Sequence, residues 1–459
     1  LVKLLVSLAF LVPSDVSVSL NRFLPNGQLA VELAPALIAV GYILGYRQSG
    51  VIVSGALISS LVLIPLITFF GSQLAAPLYP ETTLLVSKMS VGQIWSKYVR
   101  YIGAGSVATA GILTVLKNLP TMISAFTAVA KGVSAGKGDG GPRPETDRDL
   151  PPAFVFGGVA IVVLAAAFGP GILAGNMGPL QRAVCAAGVG VFGVLFVAVA
   201  ARIVGIVGVS SQPTSGITLV TLLGVASVFA AAGWVDAGAR AAVLTVGTIV
   251  AVAASKAGDI SQDLKTGYLV GATPARQQLG QLIGASVACW AVAATVLLLG
   301  QAFEFGSKEI PAPQATLMKT IIEGVLSGAL PWGLVLSGAG LSVGAMLMGV
   351  SGLAFAIGVY LPLSSMAAIF VGGCVRGLVE NGRETKKGEG ESDPGVLAAS
   401  GLVAGEGLAG ISVAVLVVTK IAPKSMDPRL GGLAGELGTV ALLLAVCAFL
   451  YLSAKRKKA

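Results

Sequence analysis

AVCAAGVGVFGVLFVAVAARIVGIVGVSSQPTSGITLVTLLGVASVFAAAGW, residues 183–234, is the stretch that decides the fold. It holds two apolar runs, 183–209 and 217–234, each near the ~20 residues that carry a helix across a bilayer. Between them Gly205–Thr218 (GIVGVSSQPTSGIT) interposes hydroxyls, an amide, three glycines and Pro213, without one charge. Pro213 has no N–H to give a helix, and it biases the residues before it toward extended backbone. Irregular backbone at membrane depth is tolerated only inside the protein or along a water-filled cavity. The segment therefore reads as a broken helix in which Ser210, Ser211, Thr214, Ser215 and Thr218 can donate and accept, which suits a neutral or zwitterionic cargo. An ordinary surface loop between two spans is the competing reading. Against it stands the missing charge, since the two plain loops, 137–150 (KGDGGPRPETDRDL) and 381–394 (NGRETKKGEGESDP), are dense in charge.

Composition extends this reading to the whole chain. Of 459 residues 55% are hydrophobic and only 11% charged, with a mean hydropathy of +0.89. A soluble protein carries about 25% charged residues, so this chain cannot cover a soluble surface. No long polar stretch leaves room for a soluble catalytic or ATP-hydrolysing domain. The 62 glycines and 6% aromatic content suit helices packed through small residues, and the alternating segments of a membrane β-barrel are missing. The net charge of +9 reads as cytoplasmic loops, not as a nucleic-acid surface. Lys455-Arg456-Lys457-Lys458 after the last apolar run, and Arg376, Arg383, Lys386 and Lys387 two runs earlier, both place the C-terminus in the cytoplasm. With no His, and four Cys confined to apolar runs, neither a metal site nor a cofactor is expected. Gly188, Gly190 and Gly193 match a dinucleotide pattern but lie in an apolar helix, where they read as packing. Leu1–Val12 resembles a signal sequence or the remnant of a membrane helix, and the missing Met implies that the true start lies upstream.

A second break is expected at Gly352–Met366 (GLAFAIGVYLPLSSM), where Tyr360 offers a hydroxyl beside Pro362. A Pro-kinked packing helix is the alternative. Paired interrupted segments are the best sequence pointer to a transporter binding site, so the backbone around Pro213 and Pro362 is expected to face an internal aqueous pocket. A carboxylate within a span is a functional hypothesis by default. Glu406, in the apolar run GLVAGEGLAGIS, is the first candidate for proton coupling and Glu323 the second. Glu32, Asp236, Asp259, Glu323 and Glu436 are nearer to segment ends, where each by itself reads as a solvated or headgroup-level carboxylate.

Several of these stretches resemble one family. GVSSQPTSGIT (208–218), AGDISQDLKTGYLVGATPARQQ (257–278), PAPQATLMKTIIEGV (311–325), VYLPLSSMAAIFVGGCVRGLV (359–379) and ELAPALIAVGYILGYR (32–47) are similar to the oligopeptide transporter family, which includes the yellow stripe-like metal-chelate transporters. The resemblance implies an all-α polytopic transmembrane helical bundle with broken or re-entrant helices, forming one transporter domain over 1–459 from which an N-terminal portion is missing. It places Ser210–Gly216, Tyr360 and Pro362 near the cargo path. It also makes 259–278 a motif-rich loop; by its own residues, Asp259, Asp263, Lys265 and Arg276 with Gly267 and Pro274, that loop reads as a solvated gate at the membrane face, with a plain connecting loop as the alternative. The expected function is secondary active, proton-coupled transport of small oligopeptides. Metal-chelate or siderophore transport is the alternative within the family, and a passive channel the alternative of another class. The expected partners are the cargo, protons, the lipid bilayer of a prokaryotic inner membrane and a second copy of the chain in a homodimer. No enzymatic activity is expected.

Overall fold

The computed structural model describes residues 1–135, 144–207, 214–307, 310, 312–328, 330–381 and 393–455. In chain order the elements are α1 Val2–Ser7, β1 Asp15–Ser19, β2 Gln28–Glu32, α2 Pro35–Leu44, α3 Tyr46–Ile58, α4 Ile64–Gly71, α5 Val91–Ile94, α6 Arg100–Ala135, α7 Pro152–Phe168, α8 Pro179–Val207, α9 Thr214–Ala231, α10 Ala237–Leu269, α11 Pro274–Ala302, α12 Pro313–Ser327, α13 Trp332–Leu347, α14 Gly352–Tyr360, α15 Leu363–Glu380, α16 Pro394–Val418 and α17 Gly432–Lys455. Among the described residues, ten helical segments are long and apolar enough to cross a membrane by length and composition. The chain is an all-α, polytopic membrane bundle. Leu282, Ile283, Val287, Trp290, Val292, Val296 and Leu297 all stand exposed along α11. Such a contiguous apolar surface is untenable in water but suits contact with lipid.

The chain divides into two compact units. The first comprises Leu1–Val107, Ala294–Ala312 and Pro331–Ala459. Its centre is built from interrupted helices. Gly45, at φ +84° and ψ 168°, ends α2 and starts α3 in a backbone conformation that side-chain-bearing residues rarely adopt. Leu361 and Pro362, both extended, separate α14 from α15. These pieces pack backbone against backbone. A Cβ added at Gly41 would meet the carbonyl of Ile369, one at Gly372 the carbonyl of Ile38, and one at Gly358 the carbonyl of Ile52. Small residues permit this approach where hydrophobic attraction between helices is absent. Around the α2–α15 contact lies a core of Ile38, Ala39, Tyr42, Ala368, Val375 and Leu450.

The second unit comprises Ala108–Ala293 and Pro313–Leu330. Here α8, α9 and α10 pack together through Val115, Phe196, Ile217, Val250 and Ala254. Gly188 and Gly190 lie inside α8 against Val225, Val246 and Val163, as expected of a packing face.

Two stretches differ from the sequence reading. Leu1–Val12 holds the six-residue α1, which is followed by an antiparallel hairpin in which Asp15 pairs with Glu32 and Ser19 with Gln28. The alternation of Val16 and Val18 with Ser17 and Ser19, and the turn dipeptide Asn26-Gly27, were its signal. The expected loop over 259–278 is mostly helical: α10 continues to Leu269 and α11 begins at Pro274. Ala254 and Ala257 are buried on the inner face of α10, while Lys256 and Asp259 pair across its outer face at 2.8 Å. An amphipathic helix, not a loop, explains that mixture of charge and small residues. Residues 136–143 and 382–392, most of the two expected plain loops, lie outside the described residues.

Between α4 and α5, Glu81 receives Lys97 Nζ at 2.9 Å and accepts from the Thr83 hydroxyl and the Thr82 and Thr83 amides. Lys97 first, then the Thr83 bonds, hold its carboxyl down at about 2. A carboxyl lowered on folding stabilises the native state above its ordinary value near 4.5, and that contribution is lost as pH falls toward about 2. Hydrogen exchange at Thr82 and Thr83, corrected for intrinsic rates, should therefore accelerate across that window. Glu81→Gln should show the faster exchange already at neutral pH. A second prediction concerns the helix contact. Gly372→Val should lower the thermal stability of detergent-purified protein by roughly 2–4 kcal/mol through overpacking. Gly401→Ala, where no atom lies within 4 Å of the added Cβ, should leave it unchanged.

Candidate functional site

With ten residues at 1.5 Å each, α2 is about 15 Å long, half the ~30 Å of a hydrocarbon core. Such a helix presents unsatisfied N–H groups at one end and carbonyls at the other. Its own sequence supplies no cap: Ala34 offers no side-chain bond, Pro35 has no N–H, and neither terminal turn carries a complementary charge. The partners come from distant helices of the first unit. Glu406 on α16 accepts the Ala36 N–H at 2.6 Å. Arg376 on α15 donates from one guanidinium nitrogen to the carbonyls of Tyr42 at 3.2 Å and Ile43 at 2.8 Å. A second nitrogen of Arg376 binds Glu380 at 2.7 Å. An anion thus sits at the positive end of the helix and a cation at its negative end, the favourable arrangement for a helix dipole.

The start of α15 is treated similarly. Pro362 precedes it without a side-chain cap, and Ser365 in its first turn donates to Glu32 at 2.6 Å. Glu32 closes β2, three residues before α2, and Glu32 and Glu406 lie near enough to act on each other electrostatically. Lys3 also acts on Glu406. The result is a half-buried pair of carboxylates, each bonded to the beginning of an interrupted helix. Chemically, this site can exchange protons, and whatever changes its charge changes how α2 and α15 are held.

The other sequence-derived candidates fall as follows. Tyr360 ends α14 and is 3% exposed, directly before the break at Pro362. Ser210, Ser211, Gln212 and Pro213 lie outside the described residues. Thr214, Ser215 and Gly216 form the first turn of α9, where the Thr214 carbonyl accepts from Thr218 and Gly216 packs on Gly111 and Val115 in the second unit. Glu323, on α12, faces Lys319 at 3.9 Å with 44% of its side chain exposed. Asp259, Asp263 and Lys265 are on α10 and Arg276 on α11. Asp263 ties the two helices together, accepting from Gln281 at its carboxylate and from Gln277 at its carbonyl, and Lys265 lies over the Tyr268 ring. Asp236 caps α10 through the Gly238 and Ala239 amides. Sequence reasoning missed the part played by Glu32, which it took for a solvated carboxylate, and used Arg376 only to set orientation. An isolated Arg in the apolar VGGCVRGLV was the signal for the latter.

Comparison with known proteins bears on this geometry. The family described as "OPT oligopeptide transporter protein" matches residues 12–417. A Haemophilus influenzae protein named as a candidate oligopeptide transporter is 29% identical over 476 aligned positions, covering 92% of this chain and 73% of that protein. An iron-phytosiderophore transporter of Oryza sativa subsp. japonica is 29% identical over 251 positions, 50% of this chain and 37% of the relative. A protein of the same plant assigned as a metal-nicotianamine transporter is 32% identical over 110 positions, 23% and 15% of the two chains. The chain thus spans about three quarters of the bacterial relative and well under half of either plant relative.

Arg376→Met should leave the α2 carbonyls without their donor and destabilise the protein by about 1–3 kcal/mol, read as a lower unfolding temperature. Ser365→Ala, which removes a single hydroxyl donor to a carboxylate, should cost less than Arg376→Met in the same assay.

Proposed function

We propose that this chain, which belongs to the OPT oligopeptide transporter family, is a secondary carrier that moves small peptides across a membrane with proton coupling. The observation that carries this reading is the bond from Glu406 to the free end of α2. A carboxylate accepting a backbone N–H makes a charge-assisted bond about twice as strong as a neutral one. Protonation of Glu406 would remove both that assistance and the charge facing the helix dipole. It would thus loosen α2 against α16, the kind of local charge change that biases an element with two packings. Alternating access needs such an element beside the cargo path.

In this scheme Tyr360 and Pro362 contact the cargo, and Ser210 to Gly216 are a separate candidate segment of the cargo path. Glu32 shares the coupling site with Glu406, and Glu323 is the second coupling candidate. Asp259, Asp263, Lys265 and Arg276 control the junction of α10 with α11 as a gate. The C-terminus lies in the cytoplasm of a prokaryotic cell, on the side to which Lys455 and the basic residues beyond it point by charge. Transport of metal chelates is the second reading, favoured by the names of the plant relatives.

Proteoliposomes with an imposed inward proton gradient should accumulate trialanine above its outside concentration, which a channel does not do. If iron–nicotianamine is concentrated in its place, the second reading holds. Glu406→Gln keeps an acceptor for the Ala36 N–H but cannot exchange a proton. It should abolish gradient-driven accumulation while its unfolding temperature stays within a few degrees of wild type. Unchanged proton dependence in this variant would sink the coupling assignment.

A further inference from the structure

Within the first unit, buried polar atoms without a hydrogen-bond partner gather on and against the stretch 95–106. They are Trp95 Nε1, Arg100 Nε, Ser106 Oγ, Ser342 Oγ and Tyr360 Oη. Groups of this kind call for an explanation, because an unmade buried hydrogen bond costs the full desolvation of the donor. Three of them are in register with one another. The guanidinium of Arg100 lies over the Trp95 ring, with Cζ 5.8 Å from its centroid. The same guanidinium faces the Tyr360 hydroxyl closely enough to donate toward its oxygen, which leaves the hydroxyl proton still to be given. One turn further along α6, Gly103 allows this approach, since a Cβ there would strike the backbone of Tyr360. Trp95 opens a π-helical turn, Trp95–Val99, that leads straight into Arg100. π-turns inside α-helices occur frequently at functional sites.

The chemistry of the set is one-sided. Arg and Trp side chains only donate, and the Tyr hydroxyl has its proton to give. Among the described residues no carboxylate forms an ion pair with Arg100. Bridging water would complete the hydrogen bonds but leave a half-buried positive charge without a counter-charge, which is costly in a low-dielectric setting. An acceptor with a negative charge meets both needs. A carboxylate is the fit, because its paired oxygens match the donor fork of a guanidinium.

We infer that Arg100, Tyr360 and Trp95 form a receptor for a carboxylate of the cargo: the C-terminus of a peptide or a carboxylate arm of a metal chelate. That the occupant is cargo rests on the carrier reading above; that it is a carboxylate rests on the donors alone. Tyr360 joins the break at Pro362 to this receptor, so the cargo's charge would be felt where α14 gives way to α15.

The test is binding to purified protein in detergent, by thermal shift and calorimetry, with trialanine, trialaninamide and iron–nicotianamine as probes. Wild type should bind trialanine or iron–nicotianamine, and trialaninamide at least about tenfold more weakly than trialanine if the peptide is the ligand. Arg100→Gln, Tyr360→Phe and Trp95→Phe should each weaken the carboxylate probe about tenfold or more, and the amide by a smaller factor. Tyr360→Phe keeps the ring and removes only the hydroxyl, so it decides the matter if Arg100→Gln fails to fold. Equal binding of the acid and the amide, full affinity in the folded variants, or no binding of either carboxylate probe to wild type would overturn the receptor. Binding of the acid without concentrative uptake in vesicles would overturn the carrier reading and leave the receptor standing.

Discussion

A ten-residue helix cannot cross a bilayer, so both of its ends must be satisfied by other parts of the protein, and much of the first unit is arranged to do that for α2. Glu406 takes the first free amide and Arg376 the last carbonyls. Neither residue is near α2 in the chain. Both partners are ionisable, so the hold on α2 combines hydrogen bonds with the kind of charge that a serine or asparagine cap does not bring.

That clamp depends on how closely the helices approach. Gly41 against Ile369, Gly372 against Ile38 and Gly358 against Ile52 bring backbones into contact where any side chain would intervene. Dense backbone packing replaces the hydrophobic attraction that water would supply, and it fixes the distance over which Glu406, Arg376 and Ser365 have to reach. The outward faces of α7, α11 and α16, by contrast, are apolar and unburied. Rigidity is thus concentrated where the helices are interrupted.

The polar groups of this unit fall into two classes. Glu32, Glu406 and Arg376 are matched to helix ends or to a serine, and they account for the shape of the broken segments. Arg100, Trp95 and Tyr360 are donors that the protein leaves unmatched. The first class explains how a charge change could move a helix, and the second what could arrive to be moved. Tyr360, ending α14 five residues before Ser365 and across the break from it, is the residue where the two classes meet.

Much of the architecture was legible in one dimension. An 11% charged fraction dictates lipid as the solvent, because too few polar side chains exist to face water. Pro362 dictates a helix break, because it lacks an N–H. Glu406 stood out because a carboxylate flanked by glycines in an apolar run has no local partner. The hairpin at Asp15–Glu32 was legible too, in its alternation and its Asn26-Gly27 turn, but the surrounding apolar bias concealed it. The helical course of Asp259 to Leu269 was misjudged because charges at helical spacing look like loop composition until the buried face of Ala254 and Ala257 is known. What the chain alone determined was its solvent and the break at Pro362, since both follow from side-chain chemistry and backbone sterics. Which charge answers which helix end was decided only in three dimensions. Ala36 and Glu406, Glu32 and Ser365, and Ile43 and Arg376 are each more than three hundred positions apart, and no local pattern encodes a contact that packing alone creates.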